Sequence, residues 1–386
     1  EEVKKSPSAN LTSSLAGRLP GVIIRQTQGE LGYDDPLIRI RGVGTWRDAN
    51  PLIIIDGIER SGLGRLDPND IESITVLKDA SAAIYGVRAA NGVILVTTKR
   101  GKEGKPAFSF TYNHGLFQPT RIPEMMDAPT FAKVANENAE FKGRTNLPYT
   151  EEEIAIITAD TSNRYPNTDW IDEVLEPYSI QKRYNLASSG GTENIRYFVS
   201  FGSLQQDPIF KNSIADYTQY NVRSNIDFKV NKYLSVSLDV AGRIENRTRD
   251  ILGSTTTWVN TLNGSPVEHA VWPNGEYAPG RGFQSPLFLD KMGYHKQEDR
   301  PIETKAFFDF KFPFIQGLGM DGSFYADYSN RFRKVWEIPW EFTTWDAATD
   351  TYETDMTDTE ISLEEYVSRH SAYTYNLRLK YNRSFN

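Results

Sequence analysis

Cysteine is absent from this 386-residue chain, which removes disulfides, thiolate nucleophiles and cysteine-ligated zinc from consideration. No stretch approaches about 18 uninterrupted apolar residues, so there is no transmembrane helix. A membrane-crossing β-barrel alternates apolar and polar positions and is untouched by that exclusion. Cations are in the minority: 43 Lys and Arg against 51 Asp and Glu give a net charge of -8. They are also scattered, which argues against a nucleic-acid surface. The four histidines, His114, His269, His295 and His370, are too far apart in sequence to suggest a ligand set. No basic segment leads into an apolar core at the start, so the N-terminus reads as mature or cut.

Enzyme signatures are missing as well. HExxH and GxSxG do not occur, and Gly42-Val43-Gly44 lacks the third glycine and following helix of a dinucleotide loop. No carboxylate pair is singled out for glycoside hydrolysis. The acidic stretch 346–365 lacks the ordered spacing and central glycine of an EF-hand and reads as a solvated loop, with calcium binding as the alternative. No cofactor and no metal are expected.

What is present begins with a compact α+β unit. LTSSLAGRLPG is weakly helical and closes at Pro20-Gly21, and VIIRQ and LIRIRG are short strands flanking a turn-rich loop from Gly29 to Pro36. LIIID, a continuous apolar run, fits a strand buried on both faces. IESITVLK alternates strictly, DASAAIYG predicts a short helix capped by Asp79 and ended by Gly86, and VILVTTK is the last strand.

From Pro106 the pattern changes to long two-faced segments. Tyr220, Val222, Ile226 and Phe228 alternate with Asn221, Arg223, Asn225 and Asp227, and Leu234, Val236, Leu238 and Val240 with Ser235, Ser237 and Asp239. About eight such segments fall near 107–117, 179–189, 195–205, 217–230, 233–246, 302–313, 318–333 and 370–383, several of them about a dozen residues long, against about five or six in soluble strands. Their connections alternate between tight (GGTEN, VNK, PFIQG) and long (118–178, 247–301, 334–369), with one intermediate near 206–216. Strand length and loop asymmetry favour an outer-membrane meander over a sandwich, in which the same apolar faces would share a core. Two helices are predicted in the first long connection, DAPTFAKVANENAEF and TEEEIAIITAD, from their caps and acidic first turns.

Aromatic residues make up 12% of the chain, suiting membrane interfaces and sugar-stacking loops alike. Trp258, Trp272, Trp336, Trp340 and Trp345 fall in long connections or at strand ends; they are candidates for stacking on a ligand, and equally for an interfacial girdle or loop core. The loop residues Trp46, Arg47, Asp48 and Asn50 are further candidates for ligand contact, the alternative being an ordinary loop packed on the wall. Arg39, Arg41, Lys78 and Arg88 are expected to pair with acids on the polar strand face, where Asp227, Asp239 and Glu245 lie.

LAGRLPGV, IRIRG, PLIIIDG and, above all, DIESITVLKDASAAIYGVRAANGVILVTTKRG resemble the plug domain of the SusC/RagA-like TonB-dependent outer-membrane transporters. TDWIDEVL, YNLASSGG, YFVSFG and YNVRSNIDFKVN resemble the start of that family's barrel. QQDPIFKNS departs from the family's glycine-containing turn, and Pro208 implies a differently shaped loop. The resemblance assigns Arg41, Gly42, Asp56, Gly57, Lys78, Asp79, Tyr85, Gly86, Asn91 and Gly92 to the structural plug motif.

A plug of about a hundred residues cannot enter an eight-stranded barrel, since lumens that hold one belong to barrels of about 22 strands. The expected fold is therefore an α+β plug domain, 1–106, followed by antiparallel transmembrane β-barrel strands, 107–386, about 8 of an expected 22. The resemblance implies no enzyme, but TonB-dependent import of oligosaccharides across the bacterial outer membrane. The implied partners are a SusD-like surface lipoprotein, TonB through a segment outside this chain, and outer-membrane lipid. A peptide importer of RagA type and a sensing receptor of the same fold are the near alternatives. A soluble β-rich glycan-binding adhesin is the distant one.

Overall fold

The computed structural model describes residues 8–40, 42, 49–60, 62–78, 81–160, 162–280, 282 and 285–384. In the N-terminal unit, the short helix α1 (Leu11–Ser14) is capped by Asn10, whose side chain accepts from the Thr12 N–H. Strands β1 (Val22–Arg25) and β2 (Leu37–Ile40) pair antiparallel. Strands β3 (Leu52–Ile55), β4 (Ile58–Arg60), β5 (Ile71–Leu77) and β6 (Val93–Thr98) form a sheet in the order β4-β3-β6-β5, with β3 and β6 parallel. Burial on both faces accounts for the unbroken apolar run of β3. Ile53 and Ile55 join Leu11, Leu15, Ile38, Ile94 and Val96 on one side, and Ile54 packs with Ala82, Ala89 and Val93 on the other. Asp56 and Gly57, at φ 50° and 86°, make the two-residue turn from β3 to β4 whose twist suits a hairpin.

Two local expectations need correction here. Strict alternation over 71–78 fails because a bulge between Ile71 and Ser73 shifts the phase, so Ile71, Ile74 and Val76 all pack on the larger core cluster. The expected helix is instead two 3-10 turns, Ala83–Tyr85 and Val87–Ala89, on either side of Gly86. Its expected cap, Asp79, lies outside the described residues.

The rest of the chain builds one open antiparallel sheet with helices in its long connections. In chain order these are β7 (Gly104–Phe117), α2 (Ala128–Phe141), α3 (Glu151–Ala159), α4 (Trp170–Val174), β8 (Ser179–Gly191), β9 (Ile195–Gln206), β10 (Asp216–Lys229), β11 (Leu234–Arg249), α5 (Gly253–Asn263), β12 (Gly293–Lys311), β13 (Leu318–Glu337), β14 (Glu341–Asp346), β15 (Thr351–Met356) and β16 (Ser362–Tyr381). The sheet runs β16-β13-β12-β11-β10-β9-β8-β7, and β14 and β15 form a separate hairpin. Tight links at 192–194, 230–233 and 312–317 lie at one rim, and the connections 118–178, 207–215, 250–292 and 338–361 at the other. Helix α2 is capped by Asp127, and α3 opens with the capping box of Thr150 and Glu153.

The strands also differ in extent from the sequence reading. Strand β12 begins at Gly293, not near 302: Pro301 lies inside it, paired with Ser329 on β13, while 300–301 and 243–244 form no ladder pairs between β12 and β11. The acidic stretch 346–365 is not one loop, since it contributes to the β14–β15 hairpin and to the first residues of β16.

The two faces of the sheet are chemically distinct. Val222 of β10, Leu238 and Ile244 of β11, Ile302 of β12 and Phe324 and Tyr328 of β13 are exposed on the outer face. Arg223, Asn225, Asp239, Glu245 and Asp299 lie on the inner face and are buried there, because the N-terminal unit is seated against it.

Candidate functional site

A sheet with a polar inner face can hold a second unit only by satisfying its charges, and the contacts between the two halves do this. Arg100, just beyond β6, reaches Asp227 at 2.8 Å and Asp239 at 2.5 Å. Arg60 at the end of β4 pairs with Asp327 and, at 3.5 Å, with Glu303. In the opposite direction, the wall's Arg223 lies 3.7 Å from both Asp56 and Asp70. Lys305 donates to the Asp56 carbonyl at 2.7 Å.

Neutral groups complete the seam. Asn225 donates to Thr98 Oγ1 (3.0 Å) and the Lys99 carbonyl (2.7 Å), Asn185 to Asp67 (2.9 Å), and Gln219 to the Arg65 carbonyl (2.9 Å). A cavity of about 30 Å³ lies among Arg65, Asp67, Asp70, Arg223 and Glu303, large enough for water. Burial and the neighbouring Asp67 push the Asp70 carboxyl up to about 6 against the pull of Ser200, Arg223 and Lys99.

The acids expected on the inner face are there, but their partners are different. Asp227 and Asp239 take Arg100, and Glu245 takes Arg65 at 3.7 Å together with the wall's Arg243 and Arg247. Arg39 instead donates to the Ile38 carbonyl and to Asn50, Lys78 to the Pro20 carbonyl, and Arg88 pairs with Glu59, all within the N-terminal unit. Arg41 lies outside the described residues. Alternation reveals which way a wall side chain points; it carries no signal for which arginine of a separately folded unit will arrive opposite it.

Nearer the rim of long connections, the Gly29–Pro36 loop of the N-terminal unit is clasped by the wall. The Gly32 carbonyl accepts from Arg65 at 2.7 Å and from Arg247 at 2.8 Å. Gly32 itself, at φ 70°, leaves no room for a side chain, since a Cβ would stand 2.6 Å from the Tyr217 ring. Tyr33 lies beneath the guanidinium groups of Arg247 (5.3 Å) and Arg249 (5.7 Å), and its hydroxyl reaches Gln297 at 3.2 Å. None of these partners was visible in the turn-rich sequence of that loop.

The candidate ligand residues fall in different settings. Trp46, Arg47 and Asp48 lie outside the described residues, while Asn50 accepts from Arg39 at 2.6 Å. Trp272 and Trp345 form an aromatic cluster with His269: ring centroids are 5.9 Å apart for the two tryptophans and 5.1 and 5.3 Å from each to the histidine. The Trp272 Nε1–H donates to the Thr343 carbonyl at 2.6 Å, tying the 250–292 connection to the β14–β15 hairpin. Partial burial holds the His269 imidazole below its usual range.

Trp258 is a half-buried residue of α5, Trp336 stands in the outward row of β13 opposite Tyr294, and Trp340 is buried against Phe288, Met292 and Phe342. The sequence reading passed over Trp170, which is buried in another loop core and donates to the Ser265 carbonyl at 2.9 Å.

The remaining motif residues hold the N-terminal unit together. Asp56 accepts from the Thr98 N–H (2.9 Å) and hydroxyl (2.7 Å), tying the β3–β4 turn to β6. Tyr85 packs on the smaller core cluster, Asn91 donates to the Asn50 carbonyl at 3.4 Å, and Gly42, Gly57, Gly86 and Gly92 all have positive φ. Among the described residues, no set of three or more histidines or acids could hold a metal ion.

Comparison with known proteins gives one consistent result. A family model described as TonB-dependent Receptor Plug Domain matches residues 1–93. The chain is 31% identical over 339 residues to TonB-dependent receptor P26 of Formosa agariphila, covering 85% of this chain and 31% of P26. It is 26% identical over 379 residues to TonB-dependent receptor SusC of Bacteroides thetaiotaomicron, covering 89% of this chain and 36% of SusC. The structure of the RagAB peptide importer in its closed-closed state is similar in fold, with a TM-score of 0.73 at 20% identity over 99% of this chain and 52% of that one. The chain thus spans about a third of the length of these curated relatives.

Proposed function

Because the chain belongs to the SusC/RagA-like TonB-dependent receptors, with a plug and eight strands of an unclosed barrel wall, we propose that the whole protein imports oligosaccharides across the bacterial outer membrane. The observation that carries the reading is the seating of the plug: a separately cored unit held to the wall's polar inner face by charges and hydrogen bonds. Such a unit is a stopper that can be shifted without exposing its own core. Residues 1–106 serve as the plug and 107–386 as wall with long extracellular connections. TonB supplies the pull that shifts the plug, and a SusD-like surface lipoprotein presents the ligand from outside. The family is one of transporters and receptors, and no residue here is assigned a catalytic role.

Sugar as cargo is favoured by the Trp272–Trp345–His269 cluster, whose rings offer the apolar faces on which pyranose rings stack. Asn50 and the Trp46–Asp48 loop of the plug are proposed as further ligand contacts. Titration of the full-length receptor in detergent with a panel of oligosaccharides and of peptides tests this. An oligosaccharide should bind, and Trp272→Ala or Trp345→Ala should weaken it about tenfold, the loss of one stacked ring. Binding of peptides alone would replace the sugar reading with peptide import, the activity named for the RagAB structure.

A further inference from the structure

Helix α5 begins without a cap of its own. Leu252 occupies its N-cap position and makes no side-chain hydrogen bond to the first turn. The missing acceptor comes from the plug, where Glu30 Oε2 accepts from the Ser254 N–H at 2.7 Å, across 224 positions of sequence. The geometry around this bond is specific. Glu30 is buried at 8% exposure. Gly253, at φ 68°, brings the backbone so close that a Cβ there would stand 3.3 Å from Glu30 Oε2. The partial positive charge of a helix N-terminus favours a carboxylate at this position.

What α5 leads to gives the bond its meaning. Past its C-terminus the chain packs over Trp170, with the Ser265 carbonyl accepting from the indole. It is pinned again where the Pro266 carbonyl accepts from the Thr168 N–H at 2.9 Å and the Glu268 carbonyl from the Thr168 hydroxyl at 2.8 Å. It then supplies His269 and Trp272, whose indole holds the β14–β15 hairpin. A short series of fixed contacts therefore runs from a plug carboxylate to the aromatic cluster.

We propose that Glu30 is a positioning residue: by capping α5 from the plug, it sets the aromatic cluster of the long connections in its ligand-ready place only while the plug is seated. Withdrawal of the plug removes the cap, so the same movement that opens the path loosens the ligand's hold. The inference rests on the import reading given above.

Hydrogen exchange of the full-length receptor, read beside oligosaccharide uptake by cells carrying it, tests the inference. In Glu30→Ala, amides at 253–257 should exchange about tenfold faster, the usual scale for losing a charged cap. Amides of β3 and β6 should be unchanged. The oligosaccharide concentration for half-maximal uptake should rise with the maximal rate retained, and Glu30→Gln, which keeps an acceptor oxygen, should fall between wild type and alanine. Unchanged exchange at 253–257 in Glu30→Ala would overturn the inference. So would faster exchange spreading equally through β3 and β6 in both variants, since Glu30 would then only support the plug fold. Absence of oligosaccharide uptake by the wild type would instead remove the import reading, with the exchange result standing by itself.

Discussion

At the scale of single residues, the plug is seated by groups that are costly to bury, and Asp70 is the clearest of them. The residue is 4% exposed, with Asp67 beside it and Arg223 at 3.7 Å. A folded-state value of about 6 against 3.8 for the free side chain means that the folded protein binds this proton more tightly than the unfolded chain. The cost of the buried charge is therefore absent below about pH 4, grows as pH rises toward 6 and is fully present above it. Asp70→Asn should remove that slope. Thermal unfolding of the full-length receptor should show wild-type stability falling between pH 4 and 6 relative to the variant, with the variant the more stable at pH 7.5; parallel curves would contradict the assignment. Residues of this kind were half legible in the sequence. Asp227, Asp239 and Glu245 could be assigned to the inner face because every second side chain of a strand shares a face. Arg60, Arg65 and Arg100 could not be chosen over Arg39, Lys78 and Arg88, because that choice depends on how two folded units dock.

At the scale of elements, period-2 patterning located the eight wall strands found among the described residues, and capping residues located α2 and α3. The errors share a cause in local irregularity. A bulge reset the phase of β5, Pro301 hid the first half of β12, and the β14–β15 hairpin, exposed along much of its length, carries too few buried residues to mark its alternation. The candidate ligand cluster was legible only as a set of tryptophans, since their grouping depends on contacts between connections distant in sequence. The wall strands make a direct prediction from their two faces. Val222, on the outer face of β10 and 51% exposed, should not tolerate a cation: Val222→Arg should cost about 2–4 kcal/mol near the bilayer midplane. Ser237→Arg, on the inner face of β11, should cost much less. The yield of folded full-length receptor in the outer-membrane fraction reads the difference. Equal yields, or the reverse order, would indicate that the outer row does not face lipid.

At the scale of the whole molecule, the division of labour follows from where apolar surface is placed. The plug keeps its isoleucines, leucines and valines in its own clusters, and the wall turns its apolar rows away from the plug. The surface between them is left to polar and charged groups, Arg60, Arg65, Arg100, Arg223, Asn225 and Lys305 among them. Parting such a surface exchanges polar contacts for water, whereas parting an apolar one would cost about 25 cal/mol per Å² exposed. A stopper of this construction can be firmly held and still moved by an external pull. The direct test is uptake of a fluorescent oligosaccharide by cells carrying the full-length receptor, measured with TonB intact and deleted. The account predicts accumulation that requires both the receptor and TonB; accumulation unaffected by loss of TonB would contradict it.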